Sequence, residues 1–319
     1  MRTLTSTDAV NRKLVVNSNG VSVSLASATI GKGEPKTLII SGVHGDERSG
    51  QLLIVNLLKD LPDFIGTLTV LPVANPLAYV LGQRQEPLSG QDLNRSFTGK
   101  NDGRPVFEIA AAVMDLVQHT RYVIDLHSYT TAGLIQAGIA VGDQSAKMAE
   151  VLDPDVVRVA HITPEYKIEG SLSGRLHTGD MSYLLVEVPP NRRISVTQVK
   201  KVILGLQQHL VRCHEYPTLK AHRLRDKPFV RIKLMKAVRA GVFERDPSLR
   251  LGASVRANDV LGSLIALPDN KAFSIASPYS GIICEMEDAL QDAVNAGETL
   301  MGIGEPVPDI EKAEFFGGM

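Results

Sequence analysis

The chain has 319 residues, 44% hydrophobic and 22% charged, with 34 basic against 35 acidic side chains and a formal net charge of -1. That composition can bury a sizeable core, which excludes a disordered or fibrous chain, and the length suits about two domains. The balanced charge lacks the basic excess of a general nucleic-acid or membrane-surface binder, and the 5% aromatic content, without tryptophan, disfavours a base-stacking surface.

Cys213 and Cys284 lie far apart, too few for a disulfide framework or a cysteine zinc site. The start, MRTLTSTDAVNRKL, has no apolar core of a signal peptide, and no apolar run reaches membrane-spanning length. A reduced, cytoplasmic protein without a membrane or nucleic-acid partner is the expectation.

Residues 14–30 alternate weakly and predict one or two strands. TLIISGV (37–43) is apolar and β-branched, a buried strand broken by Gly42 and Gly45. From Asp46 the pattern turns helical, with Leu52, Leu53, Val55, Leu57 and Leu58 leading to Pro62. GTLTVLPVANP (66–76) is another strand, closed by Asn75-Pro76. Residues 77–104 are polar and rich in Gly, Pro and Asn, and predict a long loop of the kind that often carries function.

Pro105 suits the first turn of a helix whose Ile109, Val113, Leu116 and Val117 form an apolar face. YVIDLHS (122–128) and SYLLVEVP (182–189) predict strands. Ser195 with Gln198 has capping-box spacing and opens a helix with Val196, Val199, Ile203, Leu206 and Leu210 along one stripe. Strands alternating with helices indicate an α/β layer with a parallel or mixed sheet.

After Pro217 the pattern changes to short strands and turns. LGASVRANDVLGSLIAL (251–267) and ALQDAVNAGETLMGIG (289–304) look alike, which suggests an internal repeat. The expected organisation is an α/β domain over 1–215, a charged linker across Cys213–Lys227, a small β-domain over 228–304 and a tail over 305–319.

Four places could carry chemistry. His44 and Glu47, three apart where a strand turns into a helix, can point at one cation with a donor set that suits zinc. The same His-x-x-Glu also fits a polar turn capping a helix. His127 ends a buried strand, where ligands bind in open α/β sheets, so two histidines and a glutamate can share one edge. Such a set leaves a zinc an open position for water. Glu187 is a carboxylate inside an apolar strand, costly unless paired or placed at a cleft. It reads either as a solvent-facing edge residue or as a general base beside a metal site. The loop holding Asn75, Arg84, Asp92, Asn94 and Arg95 could bind a carboxylate and an oxyanion, or could simply be solvated.

SGVHGDERSG, NPLAYVLGQR, DLNRSF, DLHS and LLVEVP occur in that order. Together they resemble the zinc carboxypeptidase superfamily and, within it, the succinylglutamate desuccinylase/aspartoacylase family. The resemblance covers roughly residues 35–190, and the appended β-domain fits the same branch. It implies a mixed sheet flanked by helices, one zinc ion per chain held by His44, Glu47 and His127, and Asp92 bonded to a ligand histidine. It further implies Arg84 polarising the scissile carbonyl, Asn94 and Arg95 holding a substrate carboxylate, and Glu187 as general base. Arg175 is a candidate for a second substrate arginine. The implied activity is hydrolysis of the amide of an N-acyl amino acid, a small substrate carrying a carboxylate. A carboxypeptidase and a non-catalytic carboxylate-binding protein are the alternatives. The assembly state is left open, with a homo-oligomer among the options.

The β-domain resembles a biotinyl/lipoyl-like barrel-sandwich hybrid but lacks the methionine-lysine-methionine hairpin of biotin carriers. Lys271 therefore reads as a turn residue. Gly170-Ser171-Leu172-Ser173-Gly174 is not a nucleophile elbow, because its serines are misplaced. His161, His177, His209, His214 and His222 share no spacing and are expected at the surface or rim.

Overall fold

A computed structural model describes residues 10–18, 20–139, 143–159, 170–176, 181–216, 226–287 and 289–307. The N-terminal elements are β1 (Val10–Ser18), β2 (Val21–Lys32), β3 (Lys36–Ser41), α1 (Ser49–Lys59), β4 (Gly66–Leu71), α2 (Pro76–Leu81) and α3 (Pro105–Val117). Then come β5 (Tyr122–Ser128), β6 (Ala132–Gly133), β7 (Gln136–Ile139), α4 (Asp143–Leu152), β8 (Val156–Val159), α5 (Leu172–Leu176), β9 (Ser182–Val188) and α6 (Val196–Arg212). The C-terminal part is built from β10 (Phe229–Lys236), β11 (Gly241–Arg245), β12 (Ser254–Val255), β13 (Val260–Ala266), β14 (Lys271–Ala276), β15 (Gly281–Met286), β16 (Gln291–Val294) and β17 (Thr299–Pro306).

A mixed sheet runs in the order β1-β2-β4-β3-β5-β9-β7-β8-β10-β17-β15-β12. Its centre, β4-β3-β5-β9, is parallel. Its strands are apolar on both faces because helices cover both. Ile39, Ile124, Leu126 and Val186 pack with Leu53 and Leu57 of α1, Met148 of α4 and Val202 and Leu206 of α6. Leu38, Ile40, Val123 and Tyr183 pack on the other face with Val106, Ile109 and Val113 of α3. β7 is antiparallel to β9 and β8 is parallel to β10, so the C-terminal strands continue the same sheet.

β6 joins this sheet beside β15, and the other four strands form an antiparallel sheet, β14-β13-β11-β16. The two similar sequence stretches become β12–β13 and β16–β17 and occupy matching places. β12 flanks β15 as β16 flanks β11, and β17 lies between β10 and β15 as β13 lies between β14 and β11.

Ser195 caps α6 as its spacing predicts. Its Oγ accepts from Gln198 N–H at 3.2 Å while its own N–H donates to Gln198 Oε1 at 3.0 Å. Two expectations are corrected. The 77–104 loop is not featureless: α2 opens it, with Pro76 in the first turn and Gly82 in the left-handed conformation at its end. Leu93–Arg95 adds a 3-10 turn capped by Asp92. Six residues are too few to show a helical period, so only the end signals could reveal α2. His209 is not at the surface. It is buried on the stripe of Val202, Leu206 and Cys213, where α6 meets Tyr122 and Tyr216. His214 is exposed, whereas His161, His177 and His222 lie outside the described residues, as do most of the expected linker and tail. No helix among the described residues is long and apolar enough to cross a membrane.

Candidate functional site

β3 and β5 run parallel with Ser41 opposite Leu126, so the turn after β3 and the end of β5 reach one edge of the sheet. His44 and Glu47 occupy that turn and His127 the strand end. The turn is clamped from outside, where Gly45 N–H donates to Gln83 O at 3.0 Å. A Cβ on Gly45 would overlap the Ala78 carbonyl in α2, so only glycine allows this close approach. The short helix missed from sequence therefore helps to hold the turn.

His44, Glu47 and His127 each offer a ligand atom within 4.8 Å of the others, and they could hold a metal ion. His44 Nδ1 lies 2.6 Å from Glu47 Oε1, and His127 Nδ1 lies 3.0 Å from Glu47 Oε2, which also accepts from Ser128 N–H at 2.9 Å. The far nitrogen of each imidazole meets another carboxylate. His44 Nε2 is 3.2 Å from Asp92 Oδ1, and His127 Nε2 is 3.1 Å from Asp125 Oδ2. The hydrogen bond between His44 Nε2 and Asp92 favours the tautomer that leaves the His44 Nδ1 lone pair free, and the Asp125 carboxylate lies on the same side of His127. Both Nδ1 atoms then face Glu47 oxygens, an acceptor-rich arrangement that calls for positive charge between them. Two imidazole nitrogens and a carboxylate oxygen suit zinc better than the all-oxygen sites of calcium or magnesium.

The site's electrostatics agree. Burial opposes charge on Glu47, but His127 and His44 outweigh it and hold its carboxyl well below the usual range. Asp92 is likewise held low against its partial burial, by His44 and Arg84. Burial lowers the His44 and His127 pKa values, yet the surrounding carboxylates raise both on balance.

Arg84 donates to Asp92 Oδ2 from Nε at 3.1 Å and from Nη2 at 2.9 Å. That leaves Nη1 directed at the cluster, 3.3 Å from His44 Nδ1 and 3.5 Å from Glu47 Oε1. Asn94 Oδ1 accepts from Leu172 N–H at 2.9 Å, which leaves Nδ2 as its available donor. Arg95 is exposed beside it and donates to Asn94 O at 2.7 Å. Arg175 is exposed on α5, outside the group formed by His44, Glu47 and His127.

Glu187 is the register partner of His127 on the neighbouring parallel strand, so both side chains leave the sheet on one face. Its side chain retains 16% exposure, and Arg158 Nη1 lies 3.8 Å from its Oε1. Burial is the main cause raising its carboxyl pKa, with Glu47 adding to it and His127 and Arg158 opposing. Sequence reasoning gave Asp125 no role. It is fully buried, it faces His127, and Tyr183 Oη donates to its Oδ2 at 2.8 Å. The signal was available: Asp-x-His in a strand puts both side chains on one face.

Residues 33–209 match the family model described as the succinylglutamate desuccinylase/aspartoacylase catalytic domain. A curated relative, N-alpha-acetyl-L-2,4-diaminobutyric acid deacetylase of Halomonas elongata, is 36% identical over 110 residues. That match covers 33% of this chain and 32% of the relative, so the chain spans about a third of its length in the comparison. Among solved structures, an aspartoacylase family protein of Mesorhizobium loti superposes with TM-score 0.72 at 23% identity, covering 94% of this chain and 95% of the other. The product-bound ectoine utilization protein EutE of Ruegeria pomeroyi superposes with TM-score 0.75 at 20% identity, covering 93% and 95%. At these identities the likeness is one of fold, and it agrees with the mixed sheet and appended β portion described above.

Proposed function

This chain belongs to the succinylglutamate desuccinylase/aspartoacylase family, and we propose that it is a zinc-dependent amidohydrolase releasing an amino acid from an N-acyl amino acid. The observation that carries the reading is the meeting of His44, Glu47 and His127 at one sheet edge with Glu187 in register beside them. The Halomonas deacetylase relative supports an acylated amino acid as the substrate class.

His44, Glu47 and His127 would hold the ion, with Asp92 and Asp125 orienting the two imidazoles. Zinc, when bound, supplies a Lewis acid that polarises a carbonyl and acidifies water. Glu187 accepts a proton from the attacking water and passes it to the departing amine nitrogen. A carboxyl group held above its usual pKa is suited to both transfers. Arg84, anchored on Asp92, presents Nη1 to the oxyanion that develops on the carbonyl. Asn94 through Nδ2 and Arg95 through its guanidinium bind the substrate carboxylate, which fixes the amide for attack.

A panel of N-acetyl, N-succinyl and longer N-acyl amino acids, including N-acetyl-2,4-diaminobutyrate, tests this reading alongside dipeptides. Hydrolysis of an N-acyl amino acid, abolished by chelator and restored by zinc, is the expected result. Turnover of peptides alone would convert the reading to a carboxypeptidase. Turnover indifferent to chelator would end the zinc assignment.

A further inference from the structure

Behind Glu187 lies a second buried carboxylate that the reaction above leaves unused. Glu285 sits on β15 in the C-terminal β portion and is 4% exposed. Its Oε1 accepts from Gln136 Nε2 at 2.9 Å. Gln136 is fully buried and is the register partner of Glu187 across β7 and β9, so its side chain leaves the sheet on the same face. With Nε2 turned to Glu285, the other end of the amide, Oε1, is buried without a hydrogen-bond partner.

The chain is built to deliver Glu285 to this place. Against β17, Ile283 opposes Ile303 and Glu285 opposes Gly302, so Cys284 is the extra residue of a bulge. A bulge of this kind re-aims the side chains that follow it. Gly302 clears the path, because a Cβ there would come within 3.1 Å of Glu285 Cβ and Cδ. On its other edge β15 pairs with β6, Glu285 opposite Gly133, and Leu134 N–H donates to Cys284 O at 2.9 Å. β6 closely follows His127 and Ser128 in sequence. Arg193 and Glu287 add an ion pair between the segment after β9 and the C-terminal part. Placing a carboxylate in such surroundings is costly, and burial indeed pushes the Glu285 carboxyl above its ordinary range.

We propose that Glu285 is a positioning residue for Glu187, acting through Gln136, so that the C-terminal β portion supplies part of the active site. By holding Nε2, Glu285 fixes the amide so that Oε1 is kept as the acceptor for the proton-bearing form of Glu187. The assignment rests on Glu187 being the proton acceptor of the reaction proposed above.

The test uses the full-length, zinc-loaded protein and the best substrate of the panel. Glu285→Ala, Gln136→Met, their combination, Glu285→Gln and Glu187→Gln are compared for kcat, KM, zinc content and Tm. Glu285→Ala and Gln136→Met are each expected to lower kcat by about tenfold with KM within about twofold of wild type. The double variant should fall no further than the worse single one, because both act through one amide. Glu285→Gln, which keeps an oxygen for Gln136 Nε2, should return to within about threefold of wild type. Losses that add in the double variant, or wild-type kcat in both single variants, overturn the assignment. Should Glu285→Ala fail to fold, wild-type kcat in Gln136→Met overturns it alone. Wild-type turnover in Glu187→Gln would instead overturn the base assignment itself. An inactive Glu187→Gln beside fully active Glu285 and Gln136 variants would overturn only the positioning role.

Discussion

Replacing His209 with glutamine should change how stability depends on pH more than it changes stability at neutral pH. The imidazole is 1% exposed, with Thr37 Oγ1 3.1 Å from Nε2 and Tyr216 Oη 2.9 Å from Nδ1. Two hydroxyls, each able to donate or accept, satisfy the neutral ring. Burial lowers its pKa from 6.5 to about 3. The unfolded chain therefore takes up a proton near pH 6.5 that the folded chain refuses until near pH 3. Across that window the unfolded state binds more protons, so stability falls as pH falls. The slope is about 1.4 kcal/mol per pH unit, giving a loss of about 2 kcal/mol at pH 5 and about 4 kcal/mol by pH 3. A glutamine in that place forfeits about 1 kcal/mol of hydrogen bonding at every pH but carries no proton. Urea unfolding of both proteins at pH 8, 6.5 and 5 reads the difference. Wild type should be the more stable at pH 8 and the less stable at pH 5. The other titrating groups, including His44, Glu47 and His127, are common to both and cancel. A gap that stays constant to within about 0.5 kcal/mol from pH 8 to pH 5 would refute the neutral, buried histidine.

Two further outcomes follow from the site's construction. Asp92→Asn leaves a single acceptor oxygen, without the negative charge, where Oδ1 faces His44 Nε2 and Oδ2 accepts from Arg84. Zinc affinity should fall by about 10–100-fold, read by competition with a chromophoric chelator, and unchanged affinity would remove Asp92 from the support of the site. Gly45→Ala drives a methyl group into the Ala78 carbonyl. It should cost about 1–3 kcal/mol of stability and weaken zinc binding together, measured by thermal unfolding and calorimetric titration. Loss of stability with zinc affinity intact would show that α2 does not set the geometry of the His44 turn.

Much of the α/β layer was legible because its signals are local. The apolar runs ending in Ser41 and Ser128, the Ser195–Gln198 cap and the stripe of Leu206 and Leu210 each depend on residues a few positions apart. The order of the polar motifs pointed to the same edge of the sheet, since a residue just beyond a parallel strand can only emerge there. α2 is shorter than two helical turns and was hidden by its length. His209 lay on a readable stripe, but its polarity argued against the interior until Thr37 and Tyr216 supplied its partners.

By itself, then, the sequence determined where strands end, which helix faces are apolar and which side chains stand at the strand ends. Tertiary structure alone decided that Gly45 touches α2 and that β8 pairs with β10, carrying the sheet into the C-terminal strands. It also decided that a bulge at Cys284 turns Glu285 toward Gln136. The physical reason is the range of the forces. Periodicity and capping are set within a few residues by backbone geometry, whereas the partner of a buried charge is chosen by strand register between segments more than a hundred residues apart.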